Sequence, residues 1–196
     1  MSRAVSIQHG IAPSQRAAAA CLYWQAFGRK LGRVMGPERR ALAFIERVML
    51  PGHAFLALDP GGQVIGVIGF RTPQGAFVGG TYEDLQVVYG RLGALWRSRA
   101  LSVLAQDLPV GAIIVDGLVV APEARGQGAG AQLAEALIGW ARGEGYRAVL
   151  LDVVEGNTQA LELYDWLGFR RSGIRRSRLT KAIYGFRTCH EMTLPL

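Results

Sequence analysis

Apolar residues recur along this chain with two periods, and the alternation between them outlines an α/β order. Short apolar, β-branched runs predict strands at residues 5–8, 54–58, 64–70, 112–120, 148–154, 169–174 and 189–194. Asp59, Pro60, Gly61 and Gly62 separate the second and third runs, which therefore read as a β-hairpin. Helical spacing takes over in between. Ser14 offers a cap for a helix reaching residue 28 or beyond. Pro37 opens a second helix, running to about residue 50, with Leu42, Ile45, Val48 and Met49 at helical spacing. Residues 82–107 set Leu85, Val88, Leu92, Leu95 and Trp96 on one predicted face, with Arg91, Arg97 and Arg99 on the other side. Helix 131–142 turns Leu133, Leu137, Ile138 and Ala141 inward, and Asn157 caps a helix that ends at Gly168. The order β-α-α-β-β-(α)-β-α-β-α-β-β predicts a single α/β domain over residues 1–196.

Composition narrows the function more than the fold. Half of the 196 residues are hydrophobic and 19% are charged, so the chain can build a substantial core and is not disorder-like. The net charge of +7 favours anionic partners such as a phosphorylated cofactor, nucleic acid or an acidic substrate, although a solvated arginine surface gives the same balance. Arg170, Arg171, Arg175, Arg176, Arg178 and Lys181 form a basic run between the last two predicted strands. Without interleaved aromatics or a recognition motif, the run reads as solvated surface, and nucleic acid is not the expected partner. Cys21 and Cys189 are the only cysteines, and they form neither a disulfide framework nor a metal-ligand spacing. A reducing, cytoplasmic setting without a metal is expected. The alanines at 17–20 are soon followed by Arg29 and Lys30, and no apolar run approaches the roughly 18 residues of a membrane span. His9, His53 and His190 join no nucleophile constellation.

The sharpest chemical signal is the turn Arg125-Gly126-Gln127-Gly128-Ala129-Gly130. Three glycines at alternate positions clear side chains from one arc of backbone. Its N–H groups and the following helix N-terminus then suit a phosphate. Gly126, Gly128 and Ala131 also satisfy a dinucleotide fingerprint, with Asp152 about 20 residues on. That reading needs the first glycine directly at the strand end, whereas residues 121–125 intervene.

The segment from Leu118 through Gly130, followed by Leu133, resembles the acyl-CoA-binding motif of the GNAT superfamily of N-acetyltransferases, R/Q-x-x-G-x-G/A after a strand and a short loop. A second block, from Asn157 to Phe169, resembles the N-x-x-A-x-x-L-Y-x-x-L-G-F helix of the same family. The resemblance implies a central mixed sheet of about seven strands flanked by helices. Residues 72–110 have no counterpart in the pattern, and form an extra helical insertion between the third and fourth strands that could cover the acceptor pocket, make a homodimer contact or only pad the domain.

The implied activity is acetyl transfer from acetyl-CoA to a primary amine of a small molecule or peptide, directly in a ternary complex. The resemblance gives the amides of Gln127, Gly128, Ala129, Gly130 and Ala131 to the pyrophosphate, with Arg125 and Gly126 shaping the turn. It gives the backbone of Leu118, Val119 and Val120 to the pantetheine arm as an added strand would pair, and adds Asn157 as a further contact. Tyr164 matches the tyrosine beside the sulfur that protonates the leaving thiolate. Asp152 and Asp116 are the candidate bases, with Glu155 a third. Asp116 is expected on the strand face of Leu118 and Val120, because alternate residues share a face. A non-catalytic acyl-CoA-binding module and a Rossmann-type oxidoreductase are the alternatives.

Overall fold

The computed structural model describes residues 5–104 and 106–196. The strands are β1 (Ser6–His9), β2 (Ala54–Leu58), β3 (Val64–Thr72), β4 (Gly75–Ala76), β5 (Ala112–Val120), β6 (Ala148–Val154), β7 (Arg170–Arg176) and β8 (Thr188–Pro195). They form one mixed sheet in the order β1-β2-β3-β5-β6-β8-β7, with the short β4 added to β3. Every pairing is antiparallel except β5 with β6. A single parallel pair excludes the doubly wound dinucleotide fold, which is built from successive parallel βαβ units.

The β5–β6 pairing is also short. It joins Ala112 to Ala148, Ile113 to Val149 and Ile114 to Leu150, and then stops while both strands continue. The sheet is therefore split at its middle, toward the C-terminal ends of its two parallel strands.

Helices α1 (Arg16–Met35), α2 (Glu38–Val48), α3 (Tyr82–Ser102) and α6 (Arg178–Tyr184) cover one face, while α4 (Ala129–Gly143) and α5 (Thr158–Trp166) cover the other. Leu56 and Phe77 are fully buried on the α1 side, and Phe70, Ile113, Leu133 and Met192 on the α4 side. Each such side chain contributes roughly 1.5–3 kcal/mol of transfer free energy. No helix among the described residues is long and apolar enough to cross a membrane.

Three sequence expectations change. The helix predicted to reach residue 107 ends at Ser102, and residue 105 in that stretch lies outside the described residues. Gly90 interrupts α3 with φ 72° and ψ 170°, and the helical phase restarts behind it. Leu85 and Tyr89 are buried before the break, and Ala94, Arg97 and Ala100 after it. Leu92, expected to face inward, is 85% exposed, and Leu95 and Trp96 are exposed too. Arg97, expected outside, lies 3.9 Å from the Tyr89 ring centre and donates to Gly36 O at 3.1 Å.

The basic run is also not one connection. Arg170, Arg171, Arg175 and Arg176 belong to the edge strand β7, whereas Arg178 and Lys181 lie on α6, a helix the pattern did not predict. Ser177 caps α6 by accepting from the Thr180 N–H at 3.2 Å, and Gly185 ends it with φ 82°. Seven residues are too few for a clear amphipathic signal.

The tightest backbone approach is at Gly69, where an added Cβ would sit 2.2 Å from Phe77 Cδ1. Gly69→Ala is expected to lower unfolding free energy by about 1–3 kcal/mol through overpacking. Gly139→Ala, on an exposed position of α4 with nothing within 4 Å, should raise it by about 0.5–1 kcal/mol. Urea denaturation of both variants checks the pair.

Candidate active site

The glycine turn joins β5 to α4. Gly126 and Gly128 take positive φ values of 74° and 82°, which residues with a Cβ rarely adopt, and Gly128 is the N-cap of α4. The first bond into this helix runs from Gln132 N–H to Gly128 O at 3.0 Å. Among the described residues, the N–H groups of 126–131 donate to no protein acceptor. Nothing lies within 4 Å of a Cβ built on Gly126. The result is an open arc of amides at the positive end of a 15-residue helix, a site suited to a phosphate.

The adjoining strand end is equally open. Ala121 N–H donates to Ile65 O at 2.8 Å, so that amide faces β3. Strand alternation then turns the main chain of Val119 toward β3, and those of Leu118 and Val120 toward the edge that β6 has left. Arg125 Nε donates to Val120 O at 3.2 Å, which fits that direction and ties the turn to the strand. Of the three strand residues expected to meet a pantetheine arm, Leu118 and Val120 present main-chain groups to the split, and Val119 does not. Gly130 brings the turn against Leu118, Val120 and Leu163 of α5, all 3.5–3.8 Å from its Cβ position.

Asp116 and Asp152 each lie two residues beyond the last β5–β6 pair, and both line one cavity of about 210 Å³ on the α1 side. Asp116 does not share a face with Leu118 and Val120 as expected. The β3–β5 register steps from Gly69–Gly117 to Phe70–Val115, which makes Asp116 a bulge residue. The bulge leaves Leu118 packed on the α4 side, while Asp116 joins Gly117, whose Cβ position meets Phe27 of α1.

The two carboxylates differ in their partners. Asp116 Oδ1 accepts from Arg71 at 3.0 Å, and its buried Oδ2 has no hydrogen-bond partner. Burial pushes its carboxyl up to about 6, against the opposing pull of Arg71 and the Phe77 backbone. Asp152 Oδ2 accepts from both Arg175 and Gln106. Burial raises the Asp152 carboxyl, Arg175 offsets part of that, and Glu191 adds to it.

Tyr164 lies on α5, across the sheet from this cavity, with its ring 5.3 Å from that of Phe169. Burial holds its phenol above the ordinary range, and its hydroxyl has no protein hydrogen bond among the described residues. Asn157 caps α5 by accepting from Ala160 N–H at 3.3 Å through its side-chain oxygen, which leaves its amide nitrogen uncommitted. Glu155 is exposed and lines a separate cavity of about 530 Å³ beside the first. His9 stacks on Phe55, His53 bonds Thr72, and neither they nor His190 line either cavity.

The profile of the acetyltransferase (GNAT) family matches residues 18–169 of this chain. The chain belongs to the GNAT acetyltransferase family. A mycothiol acetyltransferase of Thermobispora bispora is 39% identical over 80 residues, which are 41% of this chain and 26% of that protein. The chain thus matches about a quarter of that relative's length. A GCN5-related N-acetyltransferase from Kribbella flavida superposes with TM-score 0.65 at 22% identity, covering 98% of each chain. A GNAT superfamily phosphinothricin acetyltransferase from Sinorhizobium meliloti, solved in complex with AcCoA, superposes with TM-score 0.60 at 16% identity, over 100% of this chain and 89% of that one. These likenesses show the GNAT fold.

Several cavity residues escaped the sequence reading of this GNAT chain. Tyr23, Phe27, Lys30 and Leu31 project from α1, and their i, i+4, i+7, i+8 spacing was a readable stripe. Val103, Leu104 and Gln106, from the inserted segment, line the same cavity.

The Asp116–Arg71 pair gives a direct test. The Asp116 carboxyl should titrate with a midpoint near 6 by carbon-detected NMR. Arg71→Met should move it higher, because the neighbouring positive charge favours the ionised form. An ordinary carboxylate midpoint, or a downward move, would contradict the arrangement.

Proposed function

We propose that this chain is an acetyl-CoA-dependent N-acetyltransferase acting by direct transfer to a primary amine in a ternary complex. The observation that carries the reading is the split after Ile114 and Leu150, which is bordered by the open amide arc on one side and by two carboxylates on the other. The fit to the co-substrate rests on the unbonded amides of 126–131 and the clear space over Gly126. Acetyl-CoA supplies the acyl group as a thioester.

In this reading the amides of residues 127–131, with the positive end of α4, hold the pyrophosphate. Leu118 and Val120 pair with the pantetheine arm as an added strand would, and the Asn157 amide nitrogen donates to it. The Val120 N–H donates to the thioester oxygen, where negative charge builds during transfer. The acceptor amine arrives from the α1 side through the cavity. Asp116 takes its proton: its Oδ2 has no donor and burial makes its carboxylate a stronger base, whereas Asp152 already accepts from Arg175 and Gln106 on Oδ2. Asp152 keeps Arg175 and Gln106 in place. Tyr164 reaches the split from the other face and returns a proton to the departing sulfur; its raised pKa keeps the phenol protonated until then. Cys189 lines the cavity, but burial raises its thiol, which argues against a covalent route through it. The free thiols fit a reducing cytoplasm.

Three variants test these roles. Gly128→Glu puts a strained, negatively charged residue in the arc and should abolish CoA binding by calorimetry; unchanged affinity sinks the cofactor assignment. Tyr164→Phe should lower kcat while leaving CoA affinity nearly unchanged. The wild-type kcat/KM should climb as pH rises through about 6 and Asp116 loses its proton, then level off. Asp116→Asn should lose that rise and fall by roughly 10²–10⁴-fold.

A further inference from the structure

Charge is arranged in order along the acceptor cavity. Its inner end holds Asp116 and Asp152. Its walls are apolar and partly aromatic, with Tyr23, Phe27, Leu31, Val103 and Leu104 around them. Its outer end is basic: Lys30 and Arg187 line both this cavity and the adjoining one of about 530 Å³, where Arg29 joins them. Arg175 is already committed to Asp152 and Glu191. Lys30, Arg187 and Arg29 have no carboxylate within salt-bridge distance among the described residues, and Glu155 is the one acidic side chain lining the outer cavity.

Two of these features call for a ligand rather than solvent alone. Asp116 Oδ2 is buried without a donor, which is costly for a carboxylate and is relieved by an ammonium or amine N–H. Lys30 is half-buried, 5.8 Å from the centre of the Phe186 ring, and burial lowers its pKa, so its ammonium is only partly hydrated. An anion beside it restores the stability of the charged form. A neutral amine satisfies the first feature and leaves the second. A polyamine satisfies the first and is repelled by the second.

We infer that the acceptor is a small zwitterionic amine: one primary ammonium for the Asp116 end, an apolar body for the walls, and a carboxylate for Lys30 and Arg187. The cavity, about 210 Å³, is of small-molecule size. The inference rests on the acetyltransferase reading and names its acceptor class.

The test uses matched acceptors that differ only in the carboxylate and hold it away from the amine: 5-aminopentanoate against butylamine, 6-aminohexanoate against pentylamine, and 4-(aminomethyl)benzoate against benzylamine. Free-thiol release gives kcat/KM for each, and acetyl-CoA affinity is measured on the same samples. In at least one pair the carboxylate-bearing member should be preferred by roughly 10- to 100-fold, the worth of one or two hydrogen bonds to a charged group. In the Lys30→Met, Arg187→Met double variant that ratio should collapse toward one, through loss of kcat/KM for the carboxylate member. The ratio is taken within each protein, so a folding defect does not imitate the effect. Equal or better use of the decarboxylated amines, or a preference that survives removal of both cations, overturns the inference and leaves the acetyltransferase reading standing. Failure to acetylate any member despite tight acetyl-CoA binding overturns it as well. Loss of acetyl-CoA binding itself would overturn both.

Discussion

The feature on which the rest of the structure depends is the early end of the β5–β6 ladder. Three residue pairs hold the parallel strands together, and past Ile114 and Leu150 both continue without each other. Open strand edges present unpaired N–H and C=O groups, which are costly when buried and attractive to another extended chain. Here the open edge is short and leads straight into the glycine turn. Leu118 and Val120 direct their main chains to it, and Gly130 lies against both side chains and Leu163. In the proposed reaction, Tyr164 among the α4-side residues and Asp116 on the α1 side act across this split.

The second constraint follows from the first. Where the strands part, their alternation points Asp152 into a partly dry space, and the β5 bulge does the same for Asp116. Buried carboxylates need partners, and each has an arginine, Arg71 or Arg175. The pairings are unequal. Asp152 accepts two bonds on Oδ2, whereas the buried Oδ2 of Asp116 has no donor and its carboxyl is pushed up to about 6. In the proposed reaction this difference makes Asp116 the proton acceptor and Asp152 a positioning group. The inserted segment adds to the dryness, with Val103 and Leu104 walling the cavity and Gln106 on Asp152.

The conformation of the glycine turn and of the α5 cap was legible in the sequence, and the cavity lining mostly was not. Gly126 with Gly128, and Asn157 with its helix, each lie in one short stretch, and their conformations follow from local φ and capping. Phase was harder. One non-helical glycine, Gly90, resets α3 and leaves Leu92, Leu95 and Trp96 outside and Arg97 inside. One extra residue in β5 moves Asp116 to the other face, and no periodicity argument registers a bulge whose partner strand lies more than 40 positions away. The cavity wall draws on α1, α3's trailing segment, β5, β6, β7 and the approach to β8, so its composition exists only after folding.

Amide hydrogen exchange followed by NMR, with and without saturating acetyl-CoA, tests residue by residue whether the co-substrate seats in the split. Strong added protection is expected at Val120 and across 127–131, with little change at Val119, whose main chain already faces β3. Protection that leaves Val120 and the glycine arc unchanged while saturation is complete, or that falls equally on Val119, would contradict a co-substrate seated in the split.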